Sequence, residues 1–228
     1  RISPRVLYPM ESIFLRRNLA LSLKKGFTLI ELMVVLAIVA VVTSIVLNNQ
    51  SSFNKTLVLA NTAYDIALTL RSAQTYGLGS RGVGAAANVG YGVHFVRGSA
   101  DSFTFFADTA GGVSCAGATP DCKPGDHVYT EGDTTVQAYK LGNGMTVSDI
   151  CAYSLGSWSC ASEGLTSLDI VFSRPNPDPF MSKDGSYSED PAFRVTAACL
   201  VISSPQGSSQ YVSVGSSGQI NANAASCS

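Results

Sequence analysis

From Phe27 to Leu47 the chain runs FTLIELMVVLAIVAVVTSIVL, 21 residues in which Glu31 is the only charge. As an α-helix rising about 1.5 Å per residue, that run spans roughly 30 Å, the thickness of a bilayer's hydrocarbon core. Charge flanks it unevenly. Arg1, Arg5, Arg16, Arg17, Lys24 and Lys25 precede it against the single acid Glu11, whereas nine basic and fifteen acidic residues follow from Phe27 onward. The positive-inside bias therefore places the N-terminus in the cytoplasm and the remainder across the membrane. A secretory signal peptide would be shorter and end at a small-residue cleavage site. No compact site of that kind follows Leu47, so the run is expected to stay in the mature protein.

Glu31 is the residue that needs explaining. A carboxylate four residues into a membrane helix costs about 3 kcal/mol on insertion scales unless it is paired or snorkels to the interface. Its neighbourhood, Lys24-Lys25-Gly26-Phe27-Thr28-Leu29-Ile30-Glu31-Leu32, resembles the class III signal of type IV pilins and type II secretion pseudopilins. The resemblance implies that a membrane-embedded prepilin peptidase cuts between Gly26 and Phe27 and methylates the new N-terminus. It also implies that Glu31 neutralises the Phe27 amine of a neighbouring subunit, a charge-assisted contact in low dielectric that fixes register. The implied organisation is a cleaved leader over 1–26, a transmembrane and filament-core helix over 27–47, an amphipathic continuation over 48–80, and a β-rich domain over 81–228. The chain opens on Arg1, and Met10 offers an alternative start that would give a leader of 17 residues.

Past the polar stretch Asn48-Asn49-Gln50-Ser51-Ser52, the residues Phe53, Leu57, Ala60, Tyr64, Ala67, Leu68 and Arg71 recur at helical spacing. Neither Pro nor Gly occurs between Phe27 and Tyr76, which predicts one helix of about 50 residues ended by Gly77, Gly79 and Gly82. The Phe53–Leu68 stripe is expected to be the seam onto the chain's own domain, with a partner-binding face as the alternative. From Tyr91 the period shifts toward two, with strands expected at 91–97, 102–107, 135–141, 167–173, 192–203 and 209–216. The alternation Phe193, Val195, Ala197, Cys199, Val201 is expected to face the helix, giving an α+β fold in which a long N-terminal helix packs on an antiparallel sheet domain. The segments 64–71, 91–95 and 218–220 resemble the H-type minor pseudopilins and T/U-type minor pilins.

All six cysteines (Cys115, Cys122, Cys151, Cys160, Cys199 and Cys227) follow the apolar run, on the side where disulfides form. Fifteen connectivities exist, and pairing of sequence neighbours is the working expectation. No cysteine pair has the close spacing of a zinc site. Asp108, Asp121, Asp126, Glu131 and Asp133 crowd one loop. Because some pseudopilins bind calcium in an equivalent region, the resemblance makes Asp108, Asp121 and Asp126 calcium candidates, although the D-x-D-x-D-G spacing is missing and a solvated turn is the plainer reading. No cofactor is assigned.

The two histidines, His94 and His127, sit in no recognisable catalytic motif, and His94 is expected to point outward from its strand. Nucleic acid is not an expected partner, because the basic residues after Phe27 are scattered and none follows Arg194. The expected function is a structural subunit, of minor type, in the bacterial inner membrane and then in a pilus or pseudopilus. Its partners are prepilin peptidase, other pilin subunits and the membrane. The rivals are a filament-tip adhesin or DNA-uptake receptor and a membrane-anchored periplasmic enzyme.

Overall fold

The computed structural model describes residues 26–79, 81–84, 89–110 and 125–227, and of residues 48–54 only the helical backbone. The leader with Met10 and the loop residues Cys115, Asp121 and Cys122 lie outside the described residues, as does the side chain of Phe53. The chain divides into two units, Arg1–Asn48 and Asn49–Ser228. Helix α1 (Leu29–Leu78, 50 residues) contributes to both.

In the second unit, ten strands form two five-stranded antiparallel sheets. The first sheet has the order β3-β2-β1-β6-β7, built from β1 (Gly90–Val96), β2 (Ser102–Asp108), β3 (Thr134–Lys140), β6 (Ser167–Phe172) and β7 (Phe180–Lys183). The second has the order β10-β9-β8-β4-β5, built from β4 (Thr146–Ser154), β5 (Ser157–Cys160), β8 (Ala197–Ser203), β9 (Ser209–Gly215) and β10 (Ile220–Ala224). The fold is α+β, with the helix packed on two sheets instead of one.

One core joins the helix to both inner faces. Leu59, Ala63, Ile66, Ala67, Leu70 and Ala73 of α1 are buried together with Tyr91, Val93 and Phe95 of β1 and with Ala198, Leu200 and Ile202 of β8. The helix's last turn is fixed by shape. A Cβ on Gly77 would run into the carbonyl oxygen of Phe172, so only glycine lets this turn lie against β6. Tyr76 packs edge-on against Tyr91 with ring centroids 5.5 Å apart. On the other sheet, the Gln74 amide donates to the carbonyl of Gly218, just ahead of β10, at 3.2 Å.

Two sequence expectations are corrected. The seam is not the Leu57–Tyr64–Leu68 stripe: those three side chains are 48%, 59% and 62% exposed, and of the expected side chains that the structure describes only Ala67 is buried. The true seam is offset around the helix and is rich in alanine, which carries a weaker hydrophobic signal than Leu or Tyr but permits close approach. In β8 the inward residues are Ala198, Leu200 and Ile202, not Ala197, Cys199 and Val201; ahead of the strand, Val195 is buried in the core as expected, whereas Phe193 is exposed. Because Ala197–Ile202 is apolar at every position, period two cannot choose its face. Strands β4, β5, β7 and β10 lie outside the six strand ranges expected from the alternation.

The seam assignment predicts that Leu70→Ala destabilises the domain by about 2–5 kcal/mol, whereas Leu68→Ala stays within about 0.5 kcal/mol. Urea unfolding of the detergent-solubilised chain checks this, and equal losses would contradict the assignment.

Candidate assembly segment and the buried polar pairs

Gly26, Phe27 and Thr28 lead into α1 without regular structure. A Cβ on Gly26 would meet nothing within 4 Å, and the Phe27 side chain is 82% exposed. Thr28 caps the helix. Its Oγ1 accepts the Glu31 N–H at 3.2 Å and its carbonyl accepts the Leu32 N–H at 3.1 Å. Thr28-x-x-Glu31 therefore has the spacing of a capping box, and it places a carboxylate in the first turn, where the helix dipole favours negative charge. That signal stands in the sequence and gives Glu31 a helix-starting role independent of any partner.

Leu29–Leu47, with Glu31 inside it, is long and apolar enough to cross a membrane, and all its side chains are exposed. Ser44 turns its hydroxyl back onto the Ala40 carbonyl at 2.8 Å, satisfying the donor within the helix.

A family model of the prokaryotic N-terminal methylation motif matches residues 21–47. No curated protein and no solved structure matches the chain. The chain thus carries the signal of a type IV pilin-like or pseudopilin-type precursor at the head of a membrane-length helix.

In the second unit, four of the acids (Asp108, Asp126, Asp133 and Asp169) and both histidines gather on the outer face of the first sheet. Asp108 is fully buried, and its carboxyl accepts the N–H groups of Asp126 at 3.3 Å and His127 at 3.0 Å. Asp133 accepts from Thr109 at 2.8 Å, Ala110 at 2.9 Å and Thr130 at 2.8 Å. Asp126 accepts the Val128 N–H at 3.1 Å. Of the calcium candidates, Asp108 of β2 therefore holds the 125–133 segment onto the sheet through its backbone, while Asp126 braces a turn within that segment. Among the described residues, the one set of His, Cys, Asp and Glu donors close enough to share an ion is Asp149 with Cys151 and Cys160, and those two sulfurs are bonded to each other.

His94 does not point into solvent. It lies on the face opposite Tyr91, Val93 and Phe95, as its parity requires, but the 125–133 segment covers that face and Tyr129 stacks on the imidazole at 4.5 Å. Its Nδ1 meets Asp169 Oδ1 at 2.5 Å, and Ser182 Oγ donates to the other Asp169 oxygen at 2.9 Å. Asp169 is thus central between histidine and serine. A nucleophile-activating histidine instead stands between the other two groups, and Ser182 is wholly buried.

His127 stacks on Phe180 at 3.8 Å, with Nδ1 3.6 Å from Asp108 Oδ2, too far for a hydrogen bond. Burial lowers the His127 pKa to about 4 and raises that of Asp108 to about 7, so the two meet as neutral groups near pH 6.

The second sheet's outer face carries the disulfides. Cys151 and Cys160 are directly opposed across β4 and β5, and Cys199 of β8 is bonded to Cys227 in the tail. The Cys115–Cys122 pairing falls outside the described residues.

The Asp108 carboxyl yields a pH prediction. Its folded pKa lies above its unfolded value, so its stabilisation is full below about pH 4 and is lost as pH rises through about 7. Asp108→Asn keeps an acceptor but cannot ionise, and should gain roughly 2–4 kcal/mol relative to the parent between pH 4 and pH 8. His127 works the other way: its contribution is present above pH 6.5 and is lost as pH falls through about 4. Asp108→Asn alone should therefore weaken on acidification from pH 6.5 to 4. Urea midpoints across this range check both slopes.

Proposed function

We propose that this chain is a structural subunit, in a minor role, of a type IV pilus or type II secretion pseudopilus, nearest in kind to the H-type pseudopilins and T/U-type pilins. Prepilin peptidase cuts after Gly26, Phe27 becomes the N-methylated terminus, and Glu31 pairs with the Phe27 amine of a neighbour. The chain rests in the inner membrane by a single pass, with its second unit outside the cytoplasm, and then enters the filament.

The observation that carries this reading is the methylation motif over residues 21–47, whose apolar run Leu29–Leu47 has every side chain exposed. A single bilayer anchor accounts for Leu29–Leu47 but not for Leu57, Tyr64 and Leu68, an apolar stripe of the same helix that the chain's own domain leaves bare. Packing against other subunits accounts for both, because an assembled helix bundle removes apolar surface from water along its whole length.

Co-expression of the full chain with a prepilin peptidase, followed by intact mass and N-terminal sequencing, tests the reading. The expected product begins at N-methyl-Phe27, and Gly26→Val should leave it uncut. Glu31→Val should be cut normally yet fail to enter filaments. A parent chain that stays intact in the presence of active peptidase would overturn the proposal.

A further inference from the structure

We propose that the outer face of the second sheet holds a groove that binds a neutral saccharide. The inference rests on the second unit alone and does not depend on processing at Gly26.

The register places two adjacent rows of residues on that face. Trp158 opposes Tyr153, Tyr153 opposes Ala197, and Ala197 opposes Gly215. In the next row Cys160, Cys151, Cys199, Ser213 and Asn221 follow one another across all five strands. Large side chains thus stand at the β5 end and polar ones at the β10 end, with the smallest between them. A Cβ built on Gly215 would meet nothing within 4 Å, so the floor there is open. The result is a groove of about 300 Å³, walled by the half-buried Trp158 on one side and by Gln219 and Asn221 on the other. The Cys199–Cys227 disulfide pins the tail beside it, bringing Ser226 to the rim.

The chemistry of the lining selects the ligand. No ionisable side chain lines the groove, and from Val195 to Ser228 the chain contains no Asp, Glu, Lys, Arg or His. A charged ligand would find no counter-charge there, and a purely apolar one would cover the Gln219 amide and the Asn221 NH2 group without pairing them, the Asn221 oxygen already accepting the Asn223 N–H at 3.0 Å. A pyranose suits both halves. Its C–H face covers an indole ring, and its hydroxyls, each donor and acceptor, match carboxamides and serine hydroxyls. The volume lies at the small end of ligand sites and has room for roughly one or two sugar rings.

Trp158 is the only tryptophan of the chain, so its emission reports occupancy directly. The full chain, purified in a detergent without a sugar headgroup, is titrated with cellohexaose, maltohexaose and N-acetylchitohexaose. At least one should give a saturable change in emission that is the same at low and high salt, because no charge is engaged. Gly215→Leu, which fills the open floor, should weaken binding about tenfold or more while the near-ultraviolet circular dichroism and the melting transition are retained. Trp158→Ala, read by calorimetry, should do likewise.

Three results would overturn the proposal. One is no saturable change with any of the three sugars. Another is binding that survives Gly215→Leu. The third is Trp158 emission that shifts with protein concentration in the absence of sugar, which would assign the groove to contact between copies of the chain.

Discussion

The seam between the alanine-rich face of α1 and the inner faces of two sheets is the contact on which the rest of the second unit depends. Ala63, Ala67 and Ala73 alternate with Ile66 and Leu70, so the helix comes close enough for both sheets to share one core with it. Gly77 continues that approach to the last turn, where any side chain would strike the Phe172 backbone. Burying this face decides what is left over. Leu57, Tyr64 and Leu68 stay about half exposed or more, with Ala222 of β10 at the edge of the hollow that Tyr64 and Leu68 line. The stripe left in water belongs to the same helix that begins with the methylation signal and the apolar run.

The two sheets close their outer faces by different means. On the first, the 125–133 segment lies over Phe106, His94 and Asp169 and is held there by carboxylates accepting backbone N–H groups. Desolvation of Asp108 and His127 is the electrical consequence, and it keeps both neutral near pH 6. On the second, disulfides and small side chains take the place of a covering segment. With its Ser and Asn residues and little charge, that face stays open to water and to neutral polar ligands.

Much of this was legible in the sequence, and the gaps have physical causes. The apolar run and the α+β class follow from length, charge asymmetry and period, whereas the Gly26–Phe27 junction is what the resemblance of residues 24–32 to the class III signal implies. The face of α1 does not, because the exposed stripe carries Leu and Tyr at helical spacing while the buried seam is built largely on alanine. Strand β8 is apolar on both sides, since one side meets the core and the other the disulfide-pinned tail, so parity is lost. The β4–β5 hairpin turns at Leu155-Gly156, with Leu155 at φ 56°, a conformation rarely taken by leucine and so a poor turn signal. His94 was placed on the correct side of its strand, but its surroundings come from a segment whose glycines and acids read as solvated loop. The Thr28-x-x-Glu31 spacing stands in the sequence, and the structure uses its Thr28 half as the cap.

The claim that α1 assembles through the face its own domain leaves bare is tested most directly by photo-crosslinking in isolated filaments. A photoreactive amino acid placed at Leu68 is predicted to yield adducts with another subunit, while one at Ser157, in the β4–β5 hairpin away from the helix, yields none or different ones. A Leu68 probe that forms no inter-subunit adduct, and stays accessible to water-soluble reagents in the assembled filament, would contradict the account.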